Sequence, residues 1–383
     1  MKYTEIQQKL ARAFKPENEL TELKELNLTI HKYKFQSPSI EDDIPEFGGL
    51  KGLDTFIGYN SLAYRNLNFN YYIFQPDSGK EKDAAIILLH GLNERSWEKY
   101  LSWAYALASK TGKSVILFPI AFHMNRSPEA WHDARQMSRF VEARKKSNSN
   151  NENLSFANIA ISERLTYAPE QFFLSGYQSA KDIYFLAKEI KQGNHKLFNS
   201  TATIDFFGYS FGAFLEEILA IANPEGYFTN SKFFFFCGGC VFSEFNGTSK
   251  YILDQRAFER IRYFYVEELD IELRRSTLLS KLLNDTAFGY AFRHICSLEQ
   301  FSKLTVEEKN RMDKNIVLLA LQKDEIVSPL SLKNTFPKKS IDFIDFDFEY
   351  SHEVPFPVNH YGISEHVDKA FEDVFSKAAV SLS

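Results

Sequence analysis

Cysteine is scarce, with three among 383 residues, too few for a disulfide framework. A basic surplus is missing as well. Forty-five Lys and Arg against 50 Asp and Glu leave a net charge of −5, so nothing is in excess to neutralise phosphates, and a nucleic-acid partner is not expected. Long apolar runs are absent. The strongest, residues 84–89 and 233–237, fall far short of a membrane span, so no stable membrane insertion is expected. The opening Met1-Lys2-Tyr3-Thr4-Glu5-Ile6-Gln7-Gln8 lacks the apolar stretch of a secretory signal. These absences read as a soluble, cytoplasmic chain. There is no G-x-G-x-x-G fingerprint. Thr111-Gly112-Lys113-Ser114 ends like a P-loop, but Leu107 stands where its first glycine belongs, so no phosphate cradle forms. No internal repeat is visible.

What is plentiful is aromatic: 37 Phe and 19 Tyr in a chain that is 44% hydrophobic. That predicts a bulky core and an apolar pocket. The length admits two or three small domains or one long α/β domain. Residues 4–14 carry Ile6, Leu10 and Phe14 at helical spacing, and residues 26–35 alternate like a half-buried strand. Residues 38–58 read as loop. From residue 68 onward short apolar strands (68–75, 84–90, 114–120, 203–207, 232–242, 315–322, 341–348) are interspersed with helices (96–109, 172–192, 211–223, 364–380). This pattern implies a mostly parallel central sheet flanked by helices, an α/β fold.

The expected organisation is an N-terminal accessory segment (1–63), a core (64–243 and 314–383) and a helical cap or lid insertion (244–313). Two stretches, 121–171 and 244–313, interrupt the alternation. Both leave the C-terminal edge of the sheet, where ligands bind in open α/β sheets. Insertions there serve as lids or as surface decoration. The polar run Lys145-Lys146-Ser147-Asn148-Ser149-Asn150-Asn151-Glu152-Asn153 reads as a surface loop.

Gly208-Tyr209-Ser210-Phe211-Gly212 is a G-x-S-x-G between an apolar strand and a helix. That setting is the one a nucleophile elbow requires, where the alternative is a plain Gly-Ser turn. Side chains at 208 or 212 would crowd the crossing of strand and helix. A serine hydroxyl needs an adjacent base oriented by a carboxylate, in the chain order Ser, acid, His. Asp324 stands two residues past an apolar strand, and His352 stands in the loop after the next strand. Glu244 is the rival acid. His360 is the rival base, whereas His366 falls inside a helix.

On these residues the chain resembles the α/β-hydrolase superfamily over roughly residues 68–382. The carriers are His90-Gly91 after a strand, the elbow, Lys323-Asp324-Glu325-Ile326-Val327, and Ser351-His352-Glu353. The resemblance implies an esterase-like serine hydrolase with Ser210, Asp324 and His352 as catalytic residues. It places the oxyanion hole at the backbone N–H groups of Leu92 and Phe211, where losing one donor costs about 3–4 kcal/mol. It implies a small-molecule acyl substrate, no cofactor and no metal. Acyl transfer, or ligand binding without catalysis on the same fold, are the alternatives.

Tyr209 is expected to line the substrate pocket, and His90 to be either structural or pocket-lining. Arg126, Trp131 and Arg135 follow a strand on the same edge and could contact substrate, or form a solvated loop. Cys237-Gly238-Gly239-Cys240 is followed by Val241-Phe242 at a strand end, which suits buried thiols better than a redox or zinc site.

Overall fold

A computed structural model describes residues 2–38, 65–79, 81–147, 151–275, 277–358 and 362–383. The loop expected over 38–58, beyond Pro38, and His360 lie outside the described residues. Nine strands form one sheet: β1 (Leu20–Leu23), β2 (Leu28–Gln36), β3 (Asn68–Pro76), β4 (Ala84–Leu89), β5 (Ser114–Leu117), β6 (Thr203–Tyr209), β7 (Phe233–Phe236), β8 (Ile316–Leu321) and β9 (Ile341–Ile344). Their order is β1-β2-β3-β5-β4-β6-β7-β8-β9. The pairs β1/β2, β2/β3 and β3/β5 are antiparallel, and the rest from β5 to β9 are parallel. The architecture is α/β, as expected. Strands β4 and β7, Ala-Ala-Ile-Ile-Leu-Leu and Phe-Phe-Phe-Phe, are buried along their whole length because helices cover both faces of the parallel part.

One face packs against the helices Tyr3–Ala13, Glu98–Thr111 and Ser364–Leu382. The other packs against Glu170–Lys191, Phe211–Ala222 and three helices of the 244–313 insertion, Gln255–Tyr263, Leu278–Asp285 and Ala287–His294. Aromatic rings fill both layers. Phe206 stacks on Phe233 at 4.8 Å, and Phe371 on Phe375 at 4.2 Å.

The elements differ from the sequence expectations where local backbone intervenes. The strand expected over 232–242 stops at Phe236, because Cys237 takes φ 52° and Gly239 φ 98°, which turns the chain. The strand expected over 341–348 ends at Ile344. Part of the polar run near 145 is helical. Lys145 and Lys146 close the helix Ala134–Ser147, where cations suit the negative end of the helix dipole. Residues before 64 supply β1 and β2 to the same sheet, with β2 and β3 paired from Leu28↔Pro76 to Gln36↔Asn68.

Candidate active site

Ser210 sits where β6 meets the helix Phe211–Ala222, at φ 55° and ψ −118°. A non-glycine residue there is strained and is held only by tight surroundings. Glycine permits the approach. A Cβ on Gly208 would stand 2.6 Å from Ala213 Cα, and one on Gly212 would stand 2.3 Å from Leu89 O. The Ser210 N–H donates to Phe236 O at 3.0 Å, so the turn is also pinned to β7.

The order of strands brings three loops together. Ser210 Oγ lies 2.7 Å from His352 Nε2, and His352 Nδ1 lies 2.7 Å from Asp324 Oδ2. The other carboxylate oxygen, Oδ1, accepts the N–H groups of Ile326 and Val327, both at 2.9 Å. Those bonds fix the plane of the carboxylate, which orients the imidazole with Nδ1–H donating and Nε2 free to accept from the serine. All three side chains are buried. Tyr209 lies beneath, its hydroxyl donating to His352 O and its ring 5.5 Å from the imidazole.

The loop after β4 lies beside Ser210. A Cβ on Gly91 would be 3.5 Å from Ser210 Cβ. The Gly91 N–H donates to the Tyr100 hydroxyl at 3.1 Å, and the Asn93 N–H to His123 Nε2 at 2.8 Å. The Leu92 N–H between them has no acceptor among the described residues. Phe211 is the first residue of its helix, so its N–H is one of the four without an intrahelical acceptor.

Two buried histidines lock this loop reciprocally. His90 Nε2 accepts the Ile120 N–H at 3.0 Å and its Nδ1–H donates to Gly91 O at 2.9 Å. His123, from the opposite loop, accepts from Asn93, and its Nδ1–H donates to Ala121 O at 2.8 Å. Burial holds both neutral. It pushes His123 down to about 4 and His90 well below its ordinary value. A structural role was one of the two readings of His90, but the partners of both histidines were not legible, because each side chain bonds to the backbone of a separate loop.

The cleft over Ser210 is apolar and narrow, about 30 Å³ of open volume. Phe172, Phe211, Phe214, Phe242 and Ile326 line it together with Leu92. Phe245, Leu253, Phe258 and Ile261 of the 244–313 insertion roof it. A larger cavity elsewhere holds none of these side chains, so the chemistry of the serine marks the smaller cleft as the candidate site.

A family model matches residues 1–383. The chain belongs to DUF6051, a family of unknown function. No curated protein matches it. Among solved structures, the DUF6051 chain is similar to a thermostable esterase from Pseudomonas putida, with 9% identity over 100% of this chain and 88% of that one and a TM-score of 0.46. It is similar to a hyperthermophilic esterase from the archaeon Pyrobaculum calidifontis, with 12% identity, 99% and 88% coverage and a TM-score of 0.44. A third is carboxyl esterase 2 from the mycorrhizal fungus Tuber melanosporum, with 11% identity, 83% and 82% coverage and a TM-score of 0.43. At such identity nothing at the site carries over.

Four side chains expected to touch substrate stand elsewhere in this DUF6051 chain. Arg126 is fully buried, its Nη2 2.8 Å from Asp182 Oδ2, with Nε and Nη1 donating to Asn66 O and Pro119 O at 3.0 Å. It holds the loop after β5 to the helix Glu170–Lys191. Trp131 packs in a satellite cluster with Met137, Ile159 and Ala160. His90 and Tyr209 act behind the site, through the bonds described above. Arg135 is exposed. Glu244 accepts from Asn334 at 2.8 Å, and His366 pairs with Asp347 on the surface, so neither meets the Ser210 cluster. All three cysteines are buried and free. Burial pushes the Cys237 and Cys240 thiols well up, which suppresses the reactive thiolate. The useful residue in that motif is Gly238, where a Cβ would lie 2.5 Å from Ser210 O. Among the described residues no cluster of three His, Cys, Asp or Glu side chains offers a metal site, and no helix is long and apolar enough to cross a membrane.

Proposed function

We propose that this protein is a serine hydrolase that cleaves a carboxylic ester or a related acyl bond. The observation that carries the reading is the row Ser210 Oγ, His352 Nε2, His352 Nδ1, Asp324 Oδ2, with 2.7 Å at both links. In this mechanism His352 takes the Ser210 proton as Oγ attacks the acyl carbonyl. Asp324 stabilises the imidazolium that results. The oxyanion lies against the N–H groups of Leu92 and Phe211, with the positive end of the elbow helix behind it. His352 then protonates the leaving group, the acyl group stays on Ser210, and water activated by the same histidine releases the acid.

The cleft argues for the substrate class. Its lining is phenylalanine and aliphatic side chains, which suits an apolar acyl group. Its small volume accommodates only a short one unless the roof moves. A fluorophosphonate probe tests the mechanism. Labelling is expected at Ser210, mapped by mass spectrometry, and is expected to vanish in His352→Ala. Ester hydrolysis that survives in Ser210→Ala would overturn the reading.

A further inference from the structure

The larger cavity, about 470 Å³, opens at the N-terminal end of the helix Glu98–Thr111 and shares no lining residue with the Ser210 cleft. Small-molecule sites occupy roughly 300–1,000 Å³. Phe14, Tyr72, Leu101 and Met124 give it an apolar wall.

Its polar lining is short of negative charge where it is buried. Arg95 donates to Trp131 O at 2.7 Å and to Ala157 O, yet no carboxylate pairs with it among the described residues. Desolvation lowers its pKa with no counter-ion to oppose the shift. Trp97 is 6% exposed, and its Nε1–H has no acceptor among the described residues. A buried donor left unpaired costs about 1–3 kcal/mol, so a ligand that accepts from it recovers that cost. Trp97 is also the N-cap of a 14-residue helix, whose first turn favours an anion. Two carboxylates line the cavity as well. Glu129 is paired with Arg65, and Glu98 is exposed. Asn125 Oδ1 is a buried acceptor without a donor among the described residues.

We propose that this cavity is a second binding site, for a small organic carboxylate with an apolar body, held by Arg95 and Trp97 Nε1. A polar hydrogen on the same ligand would meet Asn125 Oδ1. The site stands independently of the hydrolase reading, because none of its residues touches Ser210, His352 or Asp324.

Isothermal titration calorimetry with octanoate and with 4-hydroxyphenylacetate tests it. Saturable binding near the millimolar range is expected from one charge-assisted contact and an apolar wall. The affinity is expected to fall tenfold or more in Arg95→Gln and in Trp97→Phe, and for the neutral 4-hydroxyphenylacetamide. Ser210→Ala is expected to bind as the parent does. Trp97→Phe removes the donor and keeps an aromatic, though smaller, side chain, so with an unchanged Tm it remains informative if Arg95→Gln fails to fold. Absence of binding by both carboxylates up to about 10 mM overturns the proposal. So does binding that Trp97→Phe leaves unchanged, or that is lost when Ser210 is covalently blocked.

Discussion

His90 and His123 do their work only while neutral, since each must accept a backbone N–H at Nε2. The unfolded chain protonates His123 near 6.5, and the folded chain resists until about 4. Between those values the unfolded state binds more protons, so stability rises with pH across the window and is lost as pH falls through it. A fully buried group with that shift contributes about 3 kcal/mol. Chemical denaturation at pH 7 and near pH 5 is expected to show the loss, and His123→Gln, which cannot titrate, is expected to lessen it, leaving the share of His90. In His123→Ala the Asn93 N–H loses its acceptor and the Leu92 amide drifts. The expected signature is a 10- to 100-fold fall in kcat with KM little changed. An equal rise in KM would instead mean a general distortion.

What could be read in advance at this scale was position along strands. Ser210, Asp324 and His352 were legible because each follows an apolar run that ends at one edge of a parallel sheet. Arg126 was not. Its partner Asp182 lies on a helix beyond the polar stretch around 150, and nothing local in the sequence indicates that pairing. A cap or lid over 244–313 was expected, but which of its side chains reach the cleft was hidden, since Phe245 and Phe258 look like ordinary core residues until the chain folds back.

At the scale of elements, the elbow helix Phe211–Ala222 combines tight packing with two unpaired acids. Gly212→Ala would press a methyl against Leu89 O and is expected to cost about 3 kcal/mol or more, read as a lowered Tm. Glu216 and Glu217 are fully buried with no partner for either carboxyl oxygen among the described residues, and burial raises both well above the ordinary range. The folded state therefore keeps protons that the unfolded chain releases above about 4.5, and stability declines as pH rises from there. Glu217→Met removes that proton linkage and keeps the volume. Its Tm is expected to exceed the parent's at about pH 8, with the difference shrinking toward about pH 5. The helix itself was plain from its apolar sequence, and the acids inside it were the departure.

Across the whole molecule, the two insertions are bound to each other over the site. Arg144 makes a bidentate pair with Asp254, at 2.7 and 2.9 Å, and Asn158 Nδ2 donates to Ser249 O at 2.9 Å. Asn93, beside the Leu92 amide, donates to Ala157 O and Tyr251 O, one in each insertion. Arg144→Met leaves Asp254 buried and unpaired, a loss of about 3–5 kcal/mol. Loosening of the roof is then expected, seen as faster limited proteolysis within 244–313 and a shift toward longer acyl chains among p-nitrophenyl esters. An unchanged cleavage pattern and chain-length preference would show that the roof is fixed by other contacts.

The sheet ends in two four-residue strands, β1 and β9, although its inner strands reach nine residues. Beyond β1, strand β2 carries Lys34, and Lys32 is tied to Glu19 by its N–H at 3.0 Å and its ammonium at 2.8 Å. Unpaired strand edges are templates on which a second chain can add, and brevity and lysine both discourage that growth. The devices that oppose edge growth thus sit at the margins of the sheet, far from any chemistry. Deleting residues 1–23 would expose the full hydrogen-bonding edge of β2 and invite pairing of that edge with a second chain.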